Sequence, residues 1–175
     1  MNDLKYLKHY SQETQKQVLK LLQSNKISEY LLKKYPLSHT ISSDKELFTF
    51  VQNIKNNYLK KSSPLSRVSY DGKISSINNA LGTHHFISRV QGSKLKAKNE
   101  IKIATLFKEV PLEFLEMIVV HELAHFKEKE HNKAFYRLCT HMLGDYHQIE
   151  FDLRLYLTEI EQNQKLEAWA KTQTL

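Results

Sequence analysis

The stretch Ile118-Val119-Val120-His121-Glu122-Leu123-Ala124-His125 decides the fold and directs the search for function. Histidines four residues apart lie on one face of an α-helix, so both imidazoles can reach one metal ion. Glu122 points about 100° away from His121 around the helix axis. Its carboxylate can therefore lie beside the water that the metal activates, as a zinc hydrolase requires. The pattern predicts His121 and His125 as metal ligands and Glu122 as the general base.

A catalytic zinc site needs a third protein ligand and keeps its fourth position for water. His131 is the leading candidate, although a continued helix would place it about 120° away from His125 around the axis. The chain therefore has to turn within residues 126–130. Similar sites often have glycine where Glu128 stands, so this turn has to be wide or strained. Glu150 is the rival third ligand. Two other histidines are less favoured, His141 and His147.

Four other residues, near the motif or upstream of it, are less favoured as functional residues. His84 and His85 are adjacent in an extended segment, so they point to opposite sides and do not chelate one metal together. Tyr136 and Tyr146 could donate hydrogen bonds to an oxyanion in the transition state. Packing is the simpler role for both tyrosines.

The spacing of apolar residues predicts a mixed α+β chain. Pro111 opens the helix that carries the motif, and this helix is apolar nearly all round, so it belongs in the centre of a domain. The turn sequence Ser62-Ser63-Pro64 separates a helical extension, residues 1–62, from a domain at residues 63–175. The predicted helices are 11–35, 44–59, 112–127, 132–143 and one from about 146 into the 160s, and the predicted strands are 86–90 and 101–107.

Composition limits the class of protein. The chain has 175 residues and one cysteine, Cys139, which excludes an intrachain disulfide and a cysteine-based zinc ribbon. A single thiol, with no secretory signal and no apolar run that could span a bilayer, favours the cytoplasm and no membrane partner. The net charge is +7. Residues 1–65 hold 11 Lys/Arg against 5 Asp/Glu. A lysine-rich solvated surface explains this excess more simply than nucleic-acid binding does.

The residues around the motif also resemble a known family. The run 118–125, then His131, then Ala134-Phe135-Tyr136, is similar to the bacterial YgjP-like metallopeptidases, which are related in pattern to the SprT-like and Wss-type proteases. Leu81-Gly82-Thr83 is similar to the turn that precedes the strands of that family. The resemblance covers about residues 67–152. It implies a zincin-like fold, a small twisted sheet packed on the active-site helix, with zinc on His121, His125 and His131.

These observations favour a zinc-dependent metallopeptidase that acts on a peptide or protein. Such a peptide would lie along an edge strand at residues 101–107 and add to the sheet by main-chain hydrogen bonds. One alternative is a DNA-associated SprT-like protease, which the basic N-terminal part of the chain suggests. Another is a zinc-stabilised binding module without turnover, which would close the metal site with a fourth protein ligand.

Overall fold

The computed structural model describes residues 4–74, 82–91, 94–163 and 169–171, and of residues 82–91, 94–98, 163 and 170–171 only the backbone. In chain order the helices are α1 (Gln12–Gln23), α2 (Lys26–Lys34), α3 (Asp44–Tyr58), α4 (Leu112–Ala124), α5 (Lys133–Met142) and α6 (Tyr146–Asn163). The strands are β1 (Leu37–Ser38), β2 (Leu65–Asp71), β3 (Gly82–Gln91), β4 (Lys94–Ala104) and β5 (Ala170–Lys171). Short 3₁₀ helices span Lys5–Leu7 and Thr105–Lys108. The predicted α+β class is confirmed, whereas the zincin-like arrangement stays a prediction.

The larger sheet has the strand order β2-β4-β3, with β4 parallel to β2 and antiparallel to β3. β4 is therefore the central strand, and the expectation of an edge strand at residues 101–107 is wrong. Ile101 lies opposite Val68 on one side and His84 on the other. The backbone groups of β4 are already paired within the sheet, so a peptide cannot add there. The strand ends at Ala104, and the 3₁₀ turn that follows leads into α4.

Helix α4 lies in the centre of the hydrophobic core, as its apolar sequence predicts. Nine of its thirteen residues are buried. It ends at Ala124 rather than at the predicted residue 127. His125 still has helical dihedral angles, but the backbone N–H of Phe126 bonds to the carbonyl of Leu123 at 3.0 Å, three residues back. Such a tightened bond is typical of the last turn of a helix.

The N-terminal helical stretch is interrupted, so the prediction of one helix over residues 11–35 is wrong. Asn25 has φ 54°, in the left-handed region, and separates α1 from α2. Asparagine tolerates this conformation better than most residues do. Buried residues recur at helical spacing on each side of the break, at Val18 and Leu22 before it and at Ile27 and Leu31 after it. This spacing on both sides is why the sequence alone suggested a single helix.

The N-terminal helices share one hydrophobic cluster with the rest of the chain. Helix α2 packs against α6, and the 3₁₀ turn at Lys5–Leu7 also contacts α6. The domain boundary at residue 62 stays a prediction. The predicted strand 86–90 is part of β3. The sequence Gly92-Ser93 indicates a turn after this strand, but it lies outside the described residues. In the described part of the chain, none of the helices combines the length and the hydropathy that a bilayer span needs.

Candidate metal centre

The end of α4 and the turn before α5 bring His121, His125 and His131 together. One ring nitrogen of each lies within 4.8 Å of the others, and the Nε2 atoms of His121 and His131 are 3.0 Å apart. Zn–N bonds of about 2.0–2.1 Å place two ligands of a tetrahedral site about 3.3 Å apart. The spacing of these donors therefore fits one metal ion. His131 is exposed whereas His121 and His125 are half-buried, so the group opens to solvent on the side of His131.

The turn between the two helices is wide and is not strained at Glu128. In the described ranges Asn25 is the one non-glycine residue with positive φ, so Glu128 needs no left-handed conformation. Its carbonyl oxygen accepts a hydrogen bond from Nδ1 of His125 at 3.0 Å. A carbonyl can only accept, so Nδ1 of His125 carries the proton and Nε2 keeps a free lone pair. This is the tautomer that a metal ligand requires.

His121 makes a different contact. Its Nδ1 lies 2.7 Å from the hydroxyl of Tyr146, the first residue of α6. Burial, and then the neighbouring His125 and His131, lower the pKa of His121 to about 3. Burial likewise lowers the pKa of His125. Both rings are therefore neutral near pH 7, the state in which imidazole binds a metal.

A fully buried phenylalanine packs against all three histidines. The ring centroid of Phe135 lies 4.9 Å from that of His121 and 4.7 Å from those of His125 and His131. The amide of Phe135 donates to the side chain of Asn132, which caps the N-terminus of α5 at 3.0 Å. The cap therefore fixes both Phe135 and the neighbouring His131 relative to α5.

Glu122 is buried on α4, with 3% of its surface exposed. The described residues give its carboxyl no hydrogen-bond partner. Burial raises the pKa of Glu122 to about 8. A buried carboxyl between two histidines of the helix can take up a proton from a nearby water, and a nearby cation would favour its ionised form.

The other residues considered from the sequence lie elsewhere. Glu150, the rival ligand, accepts a hydrogen bond from Arg154 at 2.7 Å and is not part of the histidine group. His147 lies 4.0 Å from Glu150, and His141 packs edge-on against Tyr58. The side chains of His84 and His85 lie outside the described residues.

The sequence did not indicate three contacts of the site. The Tyr146 hydroxyl faces His121, the Glu128 carbonyl orients His125, and Phe135 packs against the histidine rings. The first two join residues through a buried hydroxyl and a backbone atom, which side-chain spacing cannot reveal. Phe135 lies in the segment that resembles the family, three residues after the Asn132 cap. This position was the signal in the sequence that could have indicated its place at the site.

The α+β fold, with three imidazoles on and beside a buried His-Glu-Leu-Ala-His helix, defines a protein with a candidate metal site of the hydrolase type. Comparison with known proteins agrees. The family model described as YgjP-like, metallopeptidase domain, matches residues 86–156. A protein of Escherichia coli (strain K12) named UTP pyrophosphatase is 51% identical over 164 residues, which cover 94% of this chain and 98% of the relative. This chain belongs to the YgjP-like family. No solved structure matches the chain.

Proposed function

We propose that this protein is a metal-dependent hydrolase that cleaves a phosphoanhydride bond of UTP or a similar nucleoside triphosphate. The observation that carries the proposal is the three-histidine group in a chain that is 51% identical, over nearly its whole length, to a UTP pyrophosphatase. The net charge of +7 is consistent with a polyanionic substrate. Zinc is the proposed metal, since three imidazoles with an open position suit it.

The bound cation would supply Lewis-acid chemistry, because it lowers the pKa of water and balances charge on phosphate oxygens. In the proposed reaction Glu122 accepts the proton of the attacking water. The water oxygen forms a bond to the α-phosphorus, and the bridging bond between the α- and β-phosphates breaks. The products are UMP and pyrophosphate, and Glu122 can pass its proton to the leaving group. Its burial and its position between His121 and His125 support this role.

Peptide hydrolysis is the second candidate. The matching family model carries the description metallopeptidase domain, and attack of water on a carbonyl needs the same group of residues. Strand β3 is an edge strand of the larger sheet and contacts α4. A peptide that adds to the sheet would therefore have to use β3 rather than β4.

The test starts from metal-free protein reloaded with one equivalent of zinc. We expect release of UMP and pyrophosphate from UTP, measured by chromatography. Glu122→Gln should still bind zinc but should lose about 10²–10⁴-fold in turnover, the usual contribution of a general base. Glu116→Gln is the matched control, because Glu116 is half-buried on the same helix and its pKa is also raised by burial. This control should keep wild-type turnover.

The two candidate functions give opposite results in this assay. A zinc-loaded chain that leaves UTP intact and cleaves unfolded casein would replace the pyrophosphatase proposal with the peptidase one. Equal UTP turnover by wild type and Glu122→Gln would refute the base assignment. Release of UDP and inorganic phosphate would move the point of attack to the terminal phosphorus.

A further inference from the structure

The contact between His121 and Tyr146 differs in kind from the contact that holds His125. The Glu128 carbonyl can only accept, so it dictates which nitrogen of His125 carries the proton. A hydroxyl can either donate or accept. The Tyr146 hydroxyl, 2.7 Å from Nδ1 of His121, therefore allows either tautomer unless something else fixes its proton.

The other ring nitrogen of His121 indicates which tautomer the site needs. Nε2 of His121 lies 3.0 Å from Nε2 of His131, on the side where the three histidines converge. A metal bound there would need the lone pair of Nε2, so the proton of His121 would lie on Nδ1. The Tyr146 hydroxyl would then accept from Nδ1–H of His121.

The burial of Tyr146 limits the groups that can hydrogen-bond with its hydroxyl. Tyr146 has no exposed surface, so bulk water does not compete for the hydroxyl. The contact joins two helices of the site, because His121 is on α4 and Tyr146 is on α6.

We infer that Tyr146 is a positioning residue that fixes the ring orientation and tautomer of His121 and thereby sets the affinity of the site for its metal. The inference rests on the proposed metal site and does not depend on which substrate is hydrolysed. A role in packing alone predicts something different, since phenylalanine would then replace Tyr146 without affecting the metal.

The test compares zinc affinities by competition with a chromophoric chelator. Tyr146→Phe keeps the ring and removes the hydroxyl, and we expect zinc to bind about 10–100-fold more weakly, the usual effect of losing a hydrogen bond to a metal-ligating histidine. The absorption bands of the cobalt-substituted protein should also shift, because the geometry at His121 changes.

The matched control is Tyr35→Phe. The hydroxyl of Tyr35 is also buried and donates to Asp152 at 2.7 Å, far from the histidines in the hydrogen-bond network. This variant also loses a buried hydrogen bond, but it should bind zinc with wild-type affinity. A loss in Tyr35→Phe equal to that in Tyr146→Phe would attribute the effect to stability and overturn the inference. Wild-type affinity in Tyr146→Phe would overturn it as well.

Two further measurements distinguish failure of this inference from failure of the proposed metal site. If Tyr146→Phe does not fold, nitrogen-15 NMR of the histidines in the zinc-loaded wild-type protein decides the question. Zinc on Nε2 of His121, with a protected proton on Nδ1, supports the inference, and zinc on Nδ1 overturns it. Failure of the wild-type chain to bind zinc at all would instead refute the proposed metal site.

Discussion

Glu122 on α4 and Asp152 on α6 are both buried carboxylates, and the protein surrounds them in opposite ways. Asp152 has no exposed surface and accepts four hydrogen bonds, from Lys34 at 2.6 Å, Tyr35 at 2.7 Å, and Tyr30 and Gln148 at 3.0 Å. These partners compensate for the loss of water around the charge.

Glu122 is nearly as buried, with 3% exposed, but the described residues offer its carboxyl no such partner. An unpartnered buried carboxyl costs stability, and its pKa is raised. The difference indicates that Asp152 serves the fold, because it ties α2 to α6. Glu122 has no such partner among the described residues, which is consistent with its proposed role of accepting a proton from water, at the expense of stability.

The largest effect on stability is expected at Asp152. Asp152→Ala removes the acceptor and leaves the Tyr35 hydroxyl buried without its partner, while Lys34 can turn its amine to solvent. We expect a loss of about 3 kcal/mol in the free energy of unfolding, measured with urea. Zinc affinity should be unchanged. Glu29→Ala, at an exposed position in the first turn of α2, is the control. An Asp152→Ala variant as stable as this control would remove the basis of the comparison.

The second prediction is that replacing Glu122 raises the free energy of unfolding instead of lowering it. Glu122→Met replaces a polar group that has no partner among the described residues by an apolar one of similar volume inside the core. We expect the free energy of unfolding of the metal-free chain to rise by about 1 kcal/mol, while hydrolysis is lost. Chelator-treated protein unfolded in urea gives the measurement. If Glu122→Met were destabilised as much as Asp152→Ala, Glu122 would have structural partners and the contrast would fail.

The sequence predicted the position of Glu122 but not the contacts of Asp152. Glu122 lies inside the His-Glu-Leu-Ala-His pattern on an apolar helix, so local spacing was enough to place it beside His121 and His125. Asp152 binds residues more than 100 positions away along the chain, at Lys34 and Tyr35. No local pattern indicates such pairs, because they depend on how α2 packs against α6.

The same distinction explains the errors in the fold. Helix α4 and the turn before His131 follow from local signals, the apolar run and the Asn132 cap, and both were predicted. The central place of β4 depends on strand order, which periodicity does not encode. The break at Asn25 was hidden because buried residues recur at helical spacing on both sides of it.

Glu46 is a third carboxylate, which has hydrogen-bond partners but is exposed to solvent. We expect its replacement to change stability the least of the three. It accepts from the amides of Ser42 and Ser43 at 3.0 and 2.9 Å and completes a capping box at the start of α3. The hydrogen bonds to Ser43, ahead of that to Ser42, lower the pKa of Glu46 from its ordinary 4.5.

A carboxylate whose pKa is lowered by folding stabilises the protein above its unfolded pKa, and this contribution is lost as the pH falls through the folded value. Glu46→Gln should therefore be slightly less stable than wild type near pH 7, and the difference should shrink as the pH falls below about 4.5. Urea midpoints of both proteins across this range give the measurement, with Glu13→Gln in the first turn of α1 as the exposed control. Glu46 lies in solvent, which screens its charge. A loss of stability as large as that of Asp152→Ala would therefore contradict the interpretation that hydrogen-bond partners stabilise a carboxylate mainly when it is buried.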